Sequence, residues 1–358
     1  MQTHMPVAIL SKITRWTQNH WMVLAAMGGV VVVGAGGFMY THDFDVAGTQ
    51  RVGNETSTRE AQQLKPTKQP TQLTGVKVKP EAAKKPVTGV MIENSPGARP
   101  QTGLDAADMV FEAVVESGIT RFLALYQSNT PGRIGPIRSL RPYFLDWVMG
   151  FDTPIAHVGG SAKALRLVKK RGAKDLDQFK HSGPYYRGGG RPSPHNMYSS
   201  VKELQQLQKR KGYKTSTFKS IRWSDDNPAN NPRVKRITVN YSGSQYRAQF
   251  RYLKNRNIYR RYMAGSPHVD TATGNPITVK NVVVIRMPTG KRGKYAVMDT
   301  IGNGKAFVFK NGKVTQGKWR QKSPRDRIEL LNKQGKQIPL NRGDTWFAIQ
   351  PKGKPLNF

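Results

Sequence analysis

Twenty consecutive residues, WMVLAAMGGVVVVGAGGFMY (21–40), carry no charge. At about 1.5 Å per residue, a helix of that length crosses the roughly 30 Å hydrocarbon core of a bilayer. Lys12 and Arg15 precede it, and Asp43 and Asp45 follow. The positive-inside rule then predicts residues 1–20 in the cytoplasm, a single-pass anchor over 21–40, and an extracytoplasmic body. A cleaved signal peptide is the rival reading. Its apolar region is shorter, about 7–15 residues, with a small-residue cleavage site close behind. Here the apolar stretch runs on into Phe38, Met39 and Tyr40, which favours an anchor.

Residues 41–85 are rich in Gln, Thr, Lys and Pro and read as a disordered tether. Order is expected from Pro86. The chain has no cysteine. That excludes disulfides, thiolate metal sites, cysteine nucleophiles and a lipid-carrying cysteine.

An α+β fold is expected, with a mixed α/β front domain over 86–231 and a basic antiparallel β-domain over 232–358. TGVMIEN (88–94) is a buried-strand pattern. MVFEAVVE (109–116) and ITRFLALYQ (119–127) flank Ser117-Gly118 and read as a hairpin, although 104–117 also admits a helix. A two-residue turn would place Glu112, Val114 and Glu116 on one face with Ile119, Arg121 and Leu123. Helices are expected over 139–150 with Ser139 as N-cap, from Ser161 to Gly172, and from Ser200 to Gly212 with Glu203 completing a capping box. From residue 234 short alternating runs follow one another, and Asn311-Gly312 marks a hairpin.

The net charge is +36, of which residues 86–231 hold +9 and residues 232–358 hold +22. A body of that sign attracts polyanions in a salt-dependent way. In the front segment, GRIGPIRSLRPYF (132–144) groups Arg133, Arg138 and Arg141 beside an expected helix start, which suits a phosphate or carboxylate. The same arginines could instead brace Glu112, Glu116 or Asp146. In the back segment, RYLKNRNIYRRYM (251–263) interleaves Tyr252, Tyr259 and Tyr262 with cations that include Arg256, Arg260 and Arg261, a pattern for anion binding with stacking. Glu93, Glu112 and Glu116 sit among apolar neighbours. With His157 and His195, Glu112 and Glu116 are candidate catalytic groups of a glycan hydrolase. No metal-ligand spacing is present, and neither a metal nor a cofactor is expected.

These stretches also resemble the YerB-like family of bacterial extracytoplasmic lipoproteins. The resemblance rests on VMIENSPGARPQTGLDAADMVFEAVVESGITRFLALY, IGPIRSLRPYFLD, HVGGS and PHNMY. In the back segment it rests on YRRYMAGSPHVD, KNVVV, GNGKAFVFKNGK and GDTWFAI. It implies two consecutive domains of unknown function outside the cell, not a reaction. The missing lipidation cysteine implies that segment 21–40 takes over as anchor.

The expected function is therefore that of a membrane-anchored envelope protein binding an anionic polymer or headgroup surface. An envelope glycan hydrolase is the alternative. Nucleic acid is permitted by charge but supported by no base-reading motif.

Overall fold

The strands of the front segment are apolar on both sides, and the reason is their position. The computed structural model describes residues 67–358. Every residue of β1 (Thr88–Glu93), β2 (Met109–Val114) and β3 (Thr120–Tyr126) is buried. Such strands belong inside a sheet covered on both faces. They pair with β4 (Ile155–His157) and β5 (Asp175–Asp177) on one side.

The other side of the same sheet comes from the back segment. Its strands are β9 (Asn281–Met287), β12 (Gly302–Lys310), β13 (Lys313–Gln321), β14 (Glu329–Leu331) and β15 (Thr345–Pro351). The ten strands run in the order β14-β13-β12-β9-β15-β2-β3-β1-β4-β5. β15 lies parallel to both β9 and β2 and joins the two segments through backbone hydrogen bonds. The strands after residue 232 therefore do not form a separate antiparallel body. Five of them complete the front segment's sheet.

A second sheet is antiparallel and is built on β6 (Arg236–Val239), β7 (Ala248–Leu253), β8 (Ile258–Met263) and β16 (Leu356–Asn357). Its apolar side chains, Ile237, Val239, Phe250 and Tyr259, share a core with Val110, Phe122 and Trp346 of the large sheet. The opposite face of the large sheet is covered by α1 (Pro142–Met149) and α2 (Ala162–Arg171). There Tyr143, Phe144, Trp147 and Val148 meet Phe111 and Phe347. Fully burying such side chains contributes on the order of 1.5–3 kcal/mol each. α3 (Val201–Arg210) packs on the second-sheet side through Val201, Leu204 and Leu207.

The helix-cap signals hold with one exception, and order starts earlier than expected. Ser161 and Ser200 cap α2 and α3, accepting from the Ala164 and Glu203 amides, and Gly172 closes α2 in the left-handed region. Ser139, however, is not the cap of α1. Arg141 holds that position, and Pro142 takes the first helical place, where a missing N–H costs nothing. Order also begins well before Pro86. Residues Gln69–Pro70 pair with Lys77–Val78, and Leu73 is fully buried in the α1 core.

Among the described residues no helix is long and apolar enough to cross a membrane. The expected anchor, residues 21–40, lies outside them, as do residues 1–20 and most of the expected tether.

Candidate functional site

A one-residue bulge decides where the expected carboxylates go. Ser117 and Gly118 form the turn with positive φ, and the Ile119 amide donates to the Glu116 carbonyl at 2.9 Å. The Val115 amide then donates to the Ile119 carbonyl at 2.7 Å, so Val115 and Glu116 both oppose Ile119. Beyond this point the register slips by one, and Glu112 pairs with Phe122 while Ala113 pairs with Arg121. Glu112 and Glu116 consequently lie on opposite faces of the sheet. The expected shared face does not form.

Glu112 is fully buried. Its Oε2 accepts from Arg261 at 2.7 Å, the Tyr241 hydroxyl at 3.0 Å and the Trp346 indole at 3.1 Å. Its Oε1 accepts from the Thr120 hydroxyl at 3.0 Å. Arg261 in turn donates to His268 Nδ1 and packs over the Trp346 ring at 4.3 Å. Because a guanidinium only donates, Nδ1 is the acceptor and Nε2 carries the proton. Nε2 donates to Gln101 at 2.6 Å, Gln101 to Asn94 at 3.0 Å, and Asn94 to Thr120 at 2.6 Å. Six buried residues thus close a ring of hydrogen bonds between the two sheets. Burial, then Arg261 and Arg99, push the His268 pKa well down and keep the ring neutral.

Glu116 faces the α1 side. It accepts from Arg121 at 2.9 Å and from Arg141 Nη2 at 2.8 Å. Burial pushes its carboxyl up, but Arg121 and Arg141 outweigh that and hold it below the ordinary range. His157 is fully buried, with Nδ1 at 2.7 Å from the Gly159 carbonyl and Nε2 at 2.9 Å from Asp175. Glu112, Glu116 and His157 are therefore consumed by internal networks. Together with His195, which sits in the loop before Met197, they do not surround one cleft.

The arginine cluster also disperses. Arg141 braces Glu116. Arg138 lies 3.3 Å from Glu93, and Arg133 stacks over the Tyr198 ring at 4.1 Å. A single pocket made by all three does not form. In the second sheet strand alternation separates the neighbours Arg260 and Arg261. Arg261 points into the core toward Glu112, so it is not an anion site; Arg260 is half-buried, and Arg256 is exposed in the turn before β8. Tyr259 is likewise inside the core, which leaves Tyr252 and Tyr262 of the expected stacking set partly accessible.

Another group of cations lies elsewhere, without carboxylate partners. β10 (Thr289–Arg292) and β11 (Tyr295–Met298) form a hairpin that docks on the β2–β3 turn, with the Ser117 amide donating to the Lys294 carbonyl at 3.0 Å. Beside it the chain leaving β15 turns through Lys352-Gly353-Lys354, with Gly353 at φ +91°. Two clefts result, of about 530 and about 580 Å³. Lys291, Lys294, Lys352 and Lys354 line the first; Arg286, Lys305 and Lys352 line the second, with Phe307 on its wall. Lys352 belongs to both, and no carboxylate lines either. A smaller cleft of about 170 Å³ behaves differently: there Lys219 and Arg320 clamp Glu329 and, with its burial opposing them, pull its carboxyl down to about 2.

The paired clefts leave little trace in the sequence. Their signals are two short tracts, Lys291-Arg292-Gly293-Lys294 and Lys352-Gly353-Lys354, each of which looks like ordinary solvated turn charge. Only the fold brings them together.

The architecture is that of a two-part α+β protein whose halves share a central sheet. Residues 73–214 match the family model described as the N-terminal domain of a protein of unknown function (DUF3048), and residues 237–347 match its C-terminal domain. The chain belongs to this family. It is 31% identical over 289 residues to a Bacillus subtilis (strain 168) protein named "Putative lipoprotein YerB", covering 78% of this chain and 85% of that one. The crystal structure of the YerB protein from Bacillus subtilis superposes with a TM-score of 0.73 at 28% identity, covering 80% of this chain and 99% of that one.

Proposed function

We propose that this is a membrane-associated extracytoplasmic protein of the cell envelope that holds a linear anionic polymer in its two adjoining basic clefts. The observation that carries the reading is the charge balance of those clefts, six cations and no carboxylate around a shared Lys352. Around Glu116 and Glu329, by contrast, arginine and lysine side chains are paired with the carboxylate. An unmatched concave basic surface stores favourable interaction for an incoming anion. Two basic clefts that share one lysine suit a chain of regularly spaced phosphates better than one compact ion.

Location is supported by the lipoprotein relative and by the uncharged segment 21–40, which would anchor a chain that lacks cysteine. The test is retention on immobilised poly(glycerol phosphate), with anionic lipid vesicles as the second arm. Retention on the polymer at low ionic strength, released by salt and lost in Lys352→Glu, supports the reading. Binding to vesicles alone, or retention indifferent to salt, overturns it.

A further inference from the structure

His195 pairs with a residue outside the expected catalytic set. Glu93, at the end of β1, is almost wholly buried, and its side chain meets three partners. Its Oε1 accepts from the Ser95 hydroxyl at 2.8 Å. Its Oε2 accepts from His195 Nδ1 at 2.9 Å and lies 3.3 Å from Arg138 Nε. An ionised carboxylate only accepts, so Nδ1 is the nitrogen that donates to Glu93, and a neutral imidazole held this way carries its lone pair on Nε2. The histidine side chain is 27% exposed and that of Arg138 25%. Among the described residues neither His195 Nε2 nor the terminal nitrogens of Arg138 have a hydrogen-bond partner. Gly97 lies beside the ring, where an added β-carbon would sit in van der Waals contact with Cδ2 and Nε2, at 3.6 and 3.7 Å.

A buried carboxylate that fixes an imidazole tautomer, with the second nitrogen open and a guanidinium beside it, is an arrangement for proton transfer next to developing negative charge. We propose that His195, oriented by Glu93, is the general base of a hydrolytic site for phosphodiesters, with Arg138 facing the phosphoryl oxygens. The choice of a phosphodiester rests on the polyanion reading above; the dyad itself does not. Nε2 takes a proton from water as the water oxygen bonds to phosphorus. The bond from phosphorus to the ester oxygen breaks, and the imidazolium returns its proton to the leaving alkoxide. The products are a phosphate monoester and an alcohol. Ser95 is not the nucleophile, because its hydroxyl is committed to Glu93.

The test uses the whole chain and bis(p-nitrophenyl) phosphate, with polymer retention of the same wild-type sample measured in parallel. The expected result is release of p-nitrophenol by the wild type, reduced about 100-fold or more in His195→Gln. Arg138→Ala, at a position one quarter exposed, gives a second loss that does not depend on the histidine variant folding. Absence of turnover in the wild type, or turnover that survives both substitutions, overturns the proposal. Polymer retention without turnover removes only this proposal; turnover without retention removes only the polymer reading.

Discussion

Arg261 on β8 donates to Glu112 on β2 at 2.7 Å, across 149 residues of sequence, with both side chains fully buried. This ion pair and its ring of polar partners tie the second sheet to the first. Removing one partner leaves an uncompensated charge in the core, so Arg261→Met should cost about 3–5 kcal/mol in urea denaturation. The double variant Glu112→Gln/Arg261→Met should be less unstable than the two single losses added together. Additive losses would contradict the coupling.

His268 gives that ring a pH signature. Its folded pKa is depressed, so below about pH 6.5 the unfolded chain binds a proton that the native ring refuses. The contribution is fully present above that pH and declines as pH falls below it. His268→Gln can accept from Arg261 and donate to Gln101 but does not titrate. The variant should show a flatter stability profile between about pH 7 and 5 than the wild type. Equal slopes would exclude His268 as the source.

A second acid-side loss arises at Asp175. Burial pushes its carboxyl up, but hydrogen bonds from His157 and Lys180 overcome this and bring it down to about 2. The stabilisation is present above the ordinary carboxylate range near pH 4 and is lost as pH falls through 2. Asp175→Asn should lower stability at neutral pH and remove that part of the acid slope, both read from melting temperature against pH.

Arg141 separates two roles that its sequence neighbourhood left open. Its bonds to Glu116 make it a structural brace. Arg141→Ala should lower the melting temperature and leave polymer retention at low salt as it was. A selective loss of retention with an unchanged melting temperature would return Arg141 to the anion-binding set.

Much of the local structure was legible because it is governed by short-range chemistry. Asn311-Gly312 has both residues at positive φ, as a tight hairpin turn demands, and Ser161, Ser200 and Gly172 end their helices as their types suggest. The site was less legible for physical reasons that can be named. One bulged residue at Glu116 reversed the face on which Glu112 lies, and no propensity encodes such a slip. The partners of Glu112 and His195 stand 149 and 102 positions away, at Arg261 and Glu93. A single sequence with independent turns cannot reveal that Lys294 and Lys352 share a cleft, because that follows from β15 inserting between strands of two segments.

The lysines around Lys352 either hold a polyanion or are ordinary solvated turn charge. The most direct measurement is affinity for poly(glycerol phosphate) across a salt series, for the wild type and for Lys291→Ala/Lys294→Ala/Lys352→Ala. The prediction is tight binding at low salt that weakens steeply as salt rises, with both the affinity and the salt slope reduced in the triple variant. A triple variant that binds as tightly as the wild type, with the same slope, would contradict it.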